Sequence, residues 1–161
     1  MKPGELLDLL RQFCADKAAL RQRHVAGARL VRNYDFNNTY QYIINREDLQ
    51  LSWVYDAIAD LGGTVDNNIP EPQLSATGRD AEATIIRGDI EAAQAFIDRW
   101  RDRVERITHA RNRIMLRVIL GETLEHKRFF EQMAAGRDDL LGRRADGAGT
   151  PGEVLPTRWV E

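Results

Sequence analysis

The chain has 161 residues, 43% of them apolar and 30% charged, a balance that fits one globular domain and excludes wholesale disorder. Lys and Arg number 23 against 25 Asp and Glu, so the net charge is -2, and no global positive charge draws the chain to nucleic acid or an anionic membrane. A single cysteine, Cys14, excludes a disulfide framework or a thiolate metal cluster within one chain. No run approaches the ~18 uncharged apolar residues of a membrane span. The start, Met1-Lys2-Pro3-Gly4-Glu5, lacks the basic and apolar regions of a signal peptide, so a cytoplasmic location is expected.

Beyond Pro3 there is no proline before Pro70, and none between Pro72 and Pro151. With few glycines and steady apolar spacing, these stretches read as four helices. The first is expected from about Glu5 to Arg32, with Leu6, Leu10, Phe13, Lys17, Leu20, His24 and Val31 on one stripe. The second starts after Asn33-Tyr34-Asp35, where Asn33 or Asp35 can cap the free amides. Its stripe is Tyr40, Ile44, Glu47, Leu51, Val54, Ile58 and Leu61, and it stops at Gly62-Gly63.

From Thr64 to about Thr77 a connector with two prolines is too long for a tight hairpin and reads as a crossover between the second and third helices. A short helix around Asp80 to Arg87 is expected to interrupt it. The third main helix is then capped by Asp89, with Ile90, Ala93, Ile97, Trp100, Val104 and Ile107 facing inward. The fourth carries Met115, Ile119, Glu122, His126, Phe129 and Met133. Extending the third stripe forward lands one residue out of step with the fourth. A slip of that size rotates the face by roughly 100°, so a turn belongs within Thr108 to Asn112. The fold expected is therefore all-α, an antiparallel four-helix bundle over residues 1–136. Residues 137–161 read as an extended C-terminal tail with an apolar end, Val154 to Val160, that suits docking on the bundle or on a protein partner.

Charges that break the inward stripes are the informative positions, because a core-side charge is costly unless paired, hydrogen-bonded or metal-bound. Glu47 breaks the second stripe, Glu122 and His126 the fourth, and His24 and Lys17 the first. Oxygen and nitrogen donors of this kind suit iron, manganese or zinc, and bundle cores are where such sites are built. The same residues equally suit a buried polar network that fixes helix register without a metal.

Two segments carry a family likeness. Glu47-Asp48-Leu49-Gln50, followed by Trp53 to Leu61-Gly62-Gly63, and Glu125-His126-Lys127-Arg128-Phe129-Phe130-Glu131 resemble the second and fourth helices of the ferritin-like superfamily, of the bacterioferritin and rubrerythrin type. The resemblance spans about residues 5–135. It implies a carboxylate-bridged metal centre with Glu-x-x-His in both helices. Here Gln50 stands where the first histidine would be and Thr123 where the second glutamate would be. The implied metal ligands are Glu47, Glu122 and His126, with Gln50, His24 and Glu125 as outer candidates. The implied chemistry is iron-dependent, redox or oxidase-type. The alternative is a metal-free, non-catalytic ferritin-like scaffold that dimerises and binds a protein partner. The aromatics Tyr34, Phe36, Tyr40, Tyr42, Trp53 and Tyr55 suit packing and interface, and an exposed aromatic face on the second helix would seat a homodimer.

Overall fold

Asn33 starts the second helix as its sequence suggests: its side-chain oxygen accepts the Phe36 amide at 3.1 Å, satisfying one of the donors a helix start leaves free. The computed structural model describes residues 1–137 and 139–141. Among these the chain is all-helical: α1 (Pro3–Ala28), α2 (Tyr34–Asp60), α3 (Ala81–Glu105) and α4 (Ala110–Ala134), with no strand. The tail's apolar end, Val154 to Val160, lies outside the described residues.

Three boundaries depart from the sequence reading. α1 ends at Ala28 rather than Arg32, because the amides of Leu30 and Val31 both turn back onto the Gly27 carbonyl. No separate short helix precedes the third, which runs unbroken from Ala81 through Arg87-Gly88-Asp89. Asp89 is therefore not a cap but a fully buried residue inside the helix. Gly88 inside that helix is a clearance: a Cβ there would sit 2.2 Å from Arg23 Nη2. The stop of α2 is as expected. Gly62, at φ +76, follows α2 in the left-handed conformation; the break between α3 and α4 exists but falls at 106–109, earlier than the expected Thr108 to Asn112, whose last three residues already lie in α4.

α1 and α4 each pack against both α2 and α3. Along α1 and α2, Asn37 Nδ2 donates to the Ala28 carbonyl at 2.7 Å, and Arg21 pairs with Asp48. Between α1 and α3, Arg23 meets Asp89 and Asp16 meets Trp100. Residues 61–80 lie along α1, held by Arg11 Nε on the Thr64 carbonyl (3.1 Å), Gln22 Nε2 on the Ile69 carbonyl (2.9 Å) and Arg29 on Glu71 (2.9 Å).

The interior divides into two apolar clusters. One gathers Phe13, Val54, Trp100, Val104 and Leu116, and the other Tyr40, Ile43, Ile85, Ile86 and Phe130. The buried polar residues Lys17, Glu47, Gln50, Thr123 and His126 belong to neither. On α2 and α4 their positions fall between those of the two clusters, and Lys17 reaches them from within the first cluster's span on α1, so they form a polar layer across the core. Among the described residues no helix is long and apolar enough to cross a membrane.

Candidate functional site

The polar layer is set by helix phase. On α2 the expected stripe holds, and Glu47 and Gln50 are both fully buried, one helical turn apart. On α4 the stripe holds at Ile119, His126 and Met133 and is displaced by one residue at the other three positions. Leu116, Ile119, Thr123, His126, Phe130 and Met133 face inward, whereas the expected Met115, Glu122 and Phe129 do not share that burial. Adjacent apolar pairs, Met115-Leu116 and Phe129-Phe130, leave either phase open in sequence. The structure thus corrects the placement of Glu122. It lies half-buried beside α2, where its carboxylate accepts from Arg46 Nη2 and Gln50 Nε2.

At the centre stands Glu47. Its Oε1 is 2.5 Å from His24 Nδ1, and since an ionised carboxylate only accepts, Nδ1 is the donor. Its Oε2 is 3.0 Å from Lys17 Nζ, an ion pair with neither partner exposed to solvent. Lys17 Nζ also donates to Thr123 Oγ1 at 3.1 Å, and Thr123 Oγ1 in turn donates to the Ile119 carbonyl at 2.8 Å. His24 packs its ring on Phe130 at 5.1 Å between centroids. His126 stacks on Phe129 and meets the edge of Tyr42. Within the layer His24 Nε2, His126 Nδ1 and Gln50 Oε1 have no hydrogen-bond partner among the described residues, and Glu47 Oε2 has the Lys17 ion pair but no hydrogen bond of good geometry.

The electrostatics follow from the same contacts. Burial alone pushes the Glu47 carboxyl up, but His24 and Lys17, with the hydrogen bond from His24, outweigh it and hold the group at about 2. His126 is driven the other way, down to about 3, first by burial and then by the Lys17 charge. The layer at neutral pH therefore holds an ionised glutamate and a neutral His126.

A second buried cluster adjoins it through α1. The Tyr40 hydroxyl donates to Asp89 Oδ2, and Arg23 Nε donates to Asp89 Oδ1 at 2.8 Å. Burial raises the Asp89 carboxyl above its ordinary value, against the pull of His24, Tyr40 and Arg23. Gly27 makes room for this crossing, since a Cβ there would lie 3.3 Å from Asp89 Oδ2 and 3.1 Å from Ile85 Cγ2.

Of the residues singled out in sequence, His24 and Glu47 meet directly, and Gln50 and Glu122 meet each other. His126 shares the layer without a hydrogen bond at Nδ1. Glu125 stands apart on the surface and pairs with Arg128 at 3.4 Å. Lys17 was visible as an interruption of the first stripe, and Thr123 as a departure from Glu-x-x-His. Neither position by itself shows that the two side chains meet. Asp89 was missed as a core residue because an aspartate ahead of an apolar stripe reads as a helix cap.

These donors do not fit the metal centre implied by the family likeness. Among the described residues no three His, Cys, Asp or Glu side chains converge on a point that could hold an ion. The carboxylate oxygen a metal would take is matched by the Lys17 ammonium, and a divalent cation placed beside that charge is repelled. Glu122 is engaged by Arg46 and Gln50, and Glu125 faces away. Since Lys17, Glu47 and Thr123 are closed off from solvent, a substrate reaches them only if the helices part. Compared with family models, curated proteins and solved structures, the chain matches none.

Proposed function

We propose that this chain is a ferritin-like antiparallel bundle whose core cation is the Lys17 ammonium rather than a metal, and that it works as a non-catalytic helical scaffold for self-association and for a protein partner. The observation that carries the reading is the position of Lys17 Nζ, 3.0 Å from Glu47 Oε2 and 3.1 Å from Thr123 Oγ1. An ammonium there satisfies charge and hydrogen bonding from one helix to two others, the arrangement a bridging metal otherwise provides. Antiparallel order is supported by the paired contacts: as residue numbers fall from Ala28 to Arg21 on α1, their partners rise from Asn37 to Asp48 on α2. The crossover is supported by the course of residues 61–80 along α1, from Arg11 to Arg29.

Elemental analysis tests the reading on protein purified without chelator or affinity metal, then loaded anaerobically with ferrous iron, manganese or zinc. The wild-type chain is expected to hold well below one equivalent of each. Lys17→Glu, which replaces the ammonium with a second carboxylate facing Glu47, is expected to gain metal. Stoichiometric iron in the wild type, lost in Glu47→Ala and His126→Ala, overturns the scaffold reading and restores a metal centre.

A further inference from the structure

The aromatics of α2 do not form an exposed face. Tyr34 is 70% exposed, but Tyr40 is fully buried and Tyr42, Trp53 and Tyr55 are partly covered. Trp53 instead walls a cleft of about 290 Å³ between the C-terminal end of α2 and the N-terminal end of α4, shared with Asp56, Asp60, Arg111, Asn112 and Met115. Two features of this cleft have no explanation inside the fold. Asp56 and Asp60 stand one helical turn apart on the same face of α2, and neither carboxylate has an ion pair or hydrogen bond among the described residues. Like charges at that spacing repel. Asp60 also closes the helix, where the macrodipole disfavours a carboxylate, and α2 has no basic residue in its last turn. Across the cleft Asn112 is only 6% exposed, yet its side-chain amide has no hydrogen-bond partner among the described residues, which a buried amide normally finds.

The chemistry of these groups selects the ligand. Arg111 lines the same cleft but pairs with neither aspartate, so two carboxylates against one guanidinium leave a net negative charge that favours a cation. The two carboxylates and the Asn112 carbonyl all accept hydrogen bonds, and an ammonium group carries donors only. Arg46 already lies over the Trp53 ring, 5.8 Å from its centroid, so the indole serves with Met115 as an apolar wall rather than as a second seat for charge. A carbon stem on that wall leaves water as it binds. A bare divalent cation fits less well, because Trp53, Met115 and the Arg111 charge stand where its oxygen shell would have to be.

We propose that this cleft binds a primary ammonium group on a short apolar stem, as a free alkylamine or as the end of a lysine side chain. Asp56 and Asp60 hold the charge, Asn112 accepts one of its protons, and the stem lies on Trp53 and Met115. The site goes beyond the scaffold reading and shares no residue with the Lys17–Glu47 layer, so the metal content of the core does not bear on it.

Titration of the full chain followed by NMR tests the site, with pentylamine, its neutral counterpart pentanol, and Nα-acetyl-lysine methylamide as probes. The reporters are the Trp53 indole N–H and the Asn112 side-chain amide, assigned by their loss in Trp53→Phe and Asn112→Ser. Pentylamine is expected to move both resonances saturably and to leave in place the Trp100 indole, which is held by Asp16. Pentanol is expected to move neither. Asp56→Asn and Asp60→Asn are each expected to weaken pentylamine binding by about two- to fivefold, the range of an exposed ion pair, and the double variant to weaken it more than either. Arg111→Ala is expected to tighten it, because a like charge is removed. These three positions are exposed, and circular dichroism separates lost binding from lost folding. Capped lysine that binds alongside pentylamine assigns the lysine side chain as the source, and its exclusion assigns a free amine. No saturable shift with pentylamine, equal shifts with pentanol, or binding unchanged in the double variant overturns the proposal. Calcium producing the shifts where pentylamine produces none also overturns it, by assigning a divalent cation.

Discussion

Lys17 and Glu47 meet across α1 and α2 with Nζ 3.0 Å from Oε2 and no solvent on either side chain. Taking two such charges out of water is expensive, and their attraction repays it only when the remaining hydrogen bonds are made. Here that is met only in part: Thr123 takes one ammonium proton and His24 serves Glu47 Oε1, while Oε2 has the ion pair alone. The pair therefore contributes specificity more than net stability. It holds α1, α2 and α4 at one register, because sliding any of them by a residue strands a buried charge.

Breaking one side of the pair should consequently be worse than removing both. Glu47→Leu leaves a buried ammonium, and Lys17→Met leaves a buried carboxylate beside His24 alone. Each is expected to lower unfolding stability by about 3–5 kcal/mol. The double variant Lys17→Met/Glu47→Leu is expected to recover most of that loss, since two apolar side chains of similar volume need no partners. Urea unfolding of the four proteins measures the coupling directly. Additive losses in the double variant would show that the charges do not depend on each other.

Acid should weaken the fold in two stages. His126 is held down at about 3 in the folded state, against about 6.5 when unfolded, so between those values the unfolded chain binds the extra proton. Stability therefore falls as pH drops below about 6.5, by up to roughly 1.4 kcal/mol per pH unit from this one group. Glu47, held at about 2, adds a second loss as pH falls through the ordinary carboxylate range. Asp89 acts with the opposite sign, because its raised carboxyl binds a proton more readily in the folded state. Thermal unfolding followed from pH 7 to pH 5 is expected to show the first loss in the wild type. It is expected to be much reduced in His126→Leu, which has no proton to gain. An unchanged slope in that variant would remove His126 as the cause.

The Tyr40–Asp89 contact gives a separate test. Tyr40→Phe deletes the hydroxyl that donates to a buried carboxylate and leaves Arg23 as its hydrogen-bond donor. The expected loss is about 1–3 kcal/mol at neutral pH. It should shrink as pH falls, because a protonated Asp89 no longer needs both donors. Unfolding free energies at neutral and acidic pH, compared between Tyr40→Phe and wild type, check the size and the trend.

Much of this was legible in the residues themselves. The stripe on α2 predicts burial at Tyr40, Ile44, Glu47, Leu51, Val54, Ile58 and Leu61; all are buried except Leu61, which is half-buried at the helix end. The first stripe likewise places Lys17 and His24 inside, and both are. Phase alone located the break between α3 and α4, because a one-residue slip rotates an apolar face away from the core. The fourth stripe held at Ile119, His126 and Met133 and failed at Met115, Glu122 and Phe129 for a local reason. With Leu116 beside Met115 and Phe130 beside Phe129, either phase offers apolar side chains to the core, and only the fit against α2 and α3 chooses between them. That choice turns Thr123 inward and Glu122 aside.

Sequence by itself determined that there are four main helices, the start of the second at Asn33 and its stop at Gly62, and that Lys17, His24, Glu47 and His126 had to be accommodated inside. Helical periodicity is a local property, so it is written in the spacing of apolar side chains. Only the tertiary structure decided which of those charges meet. Lys17 and Thr123 are 106 positions apart, and Tyr40 and Asp89 are 49. Pairings at such separations depend on the rotation and height of whole helices against one another, which many weak contacts set together. Those contacts place an ammonium opposite Glu47.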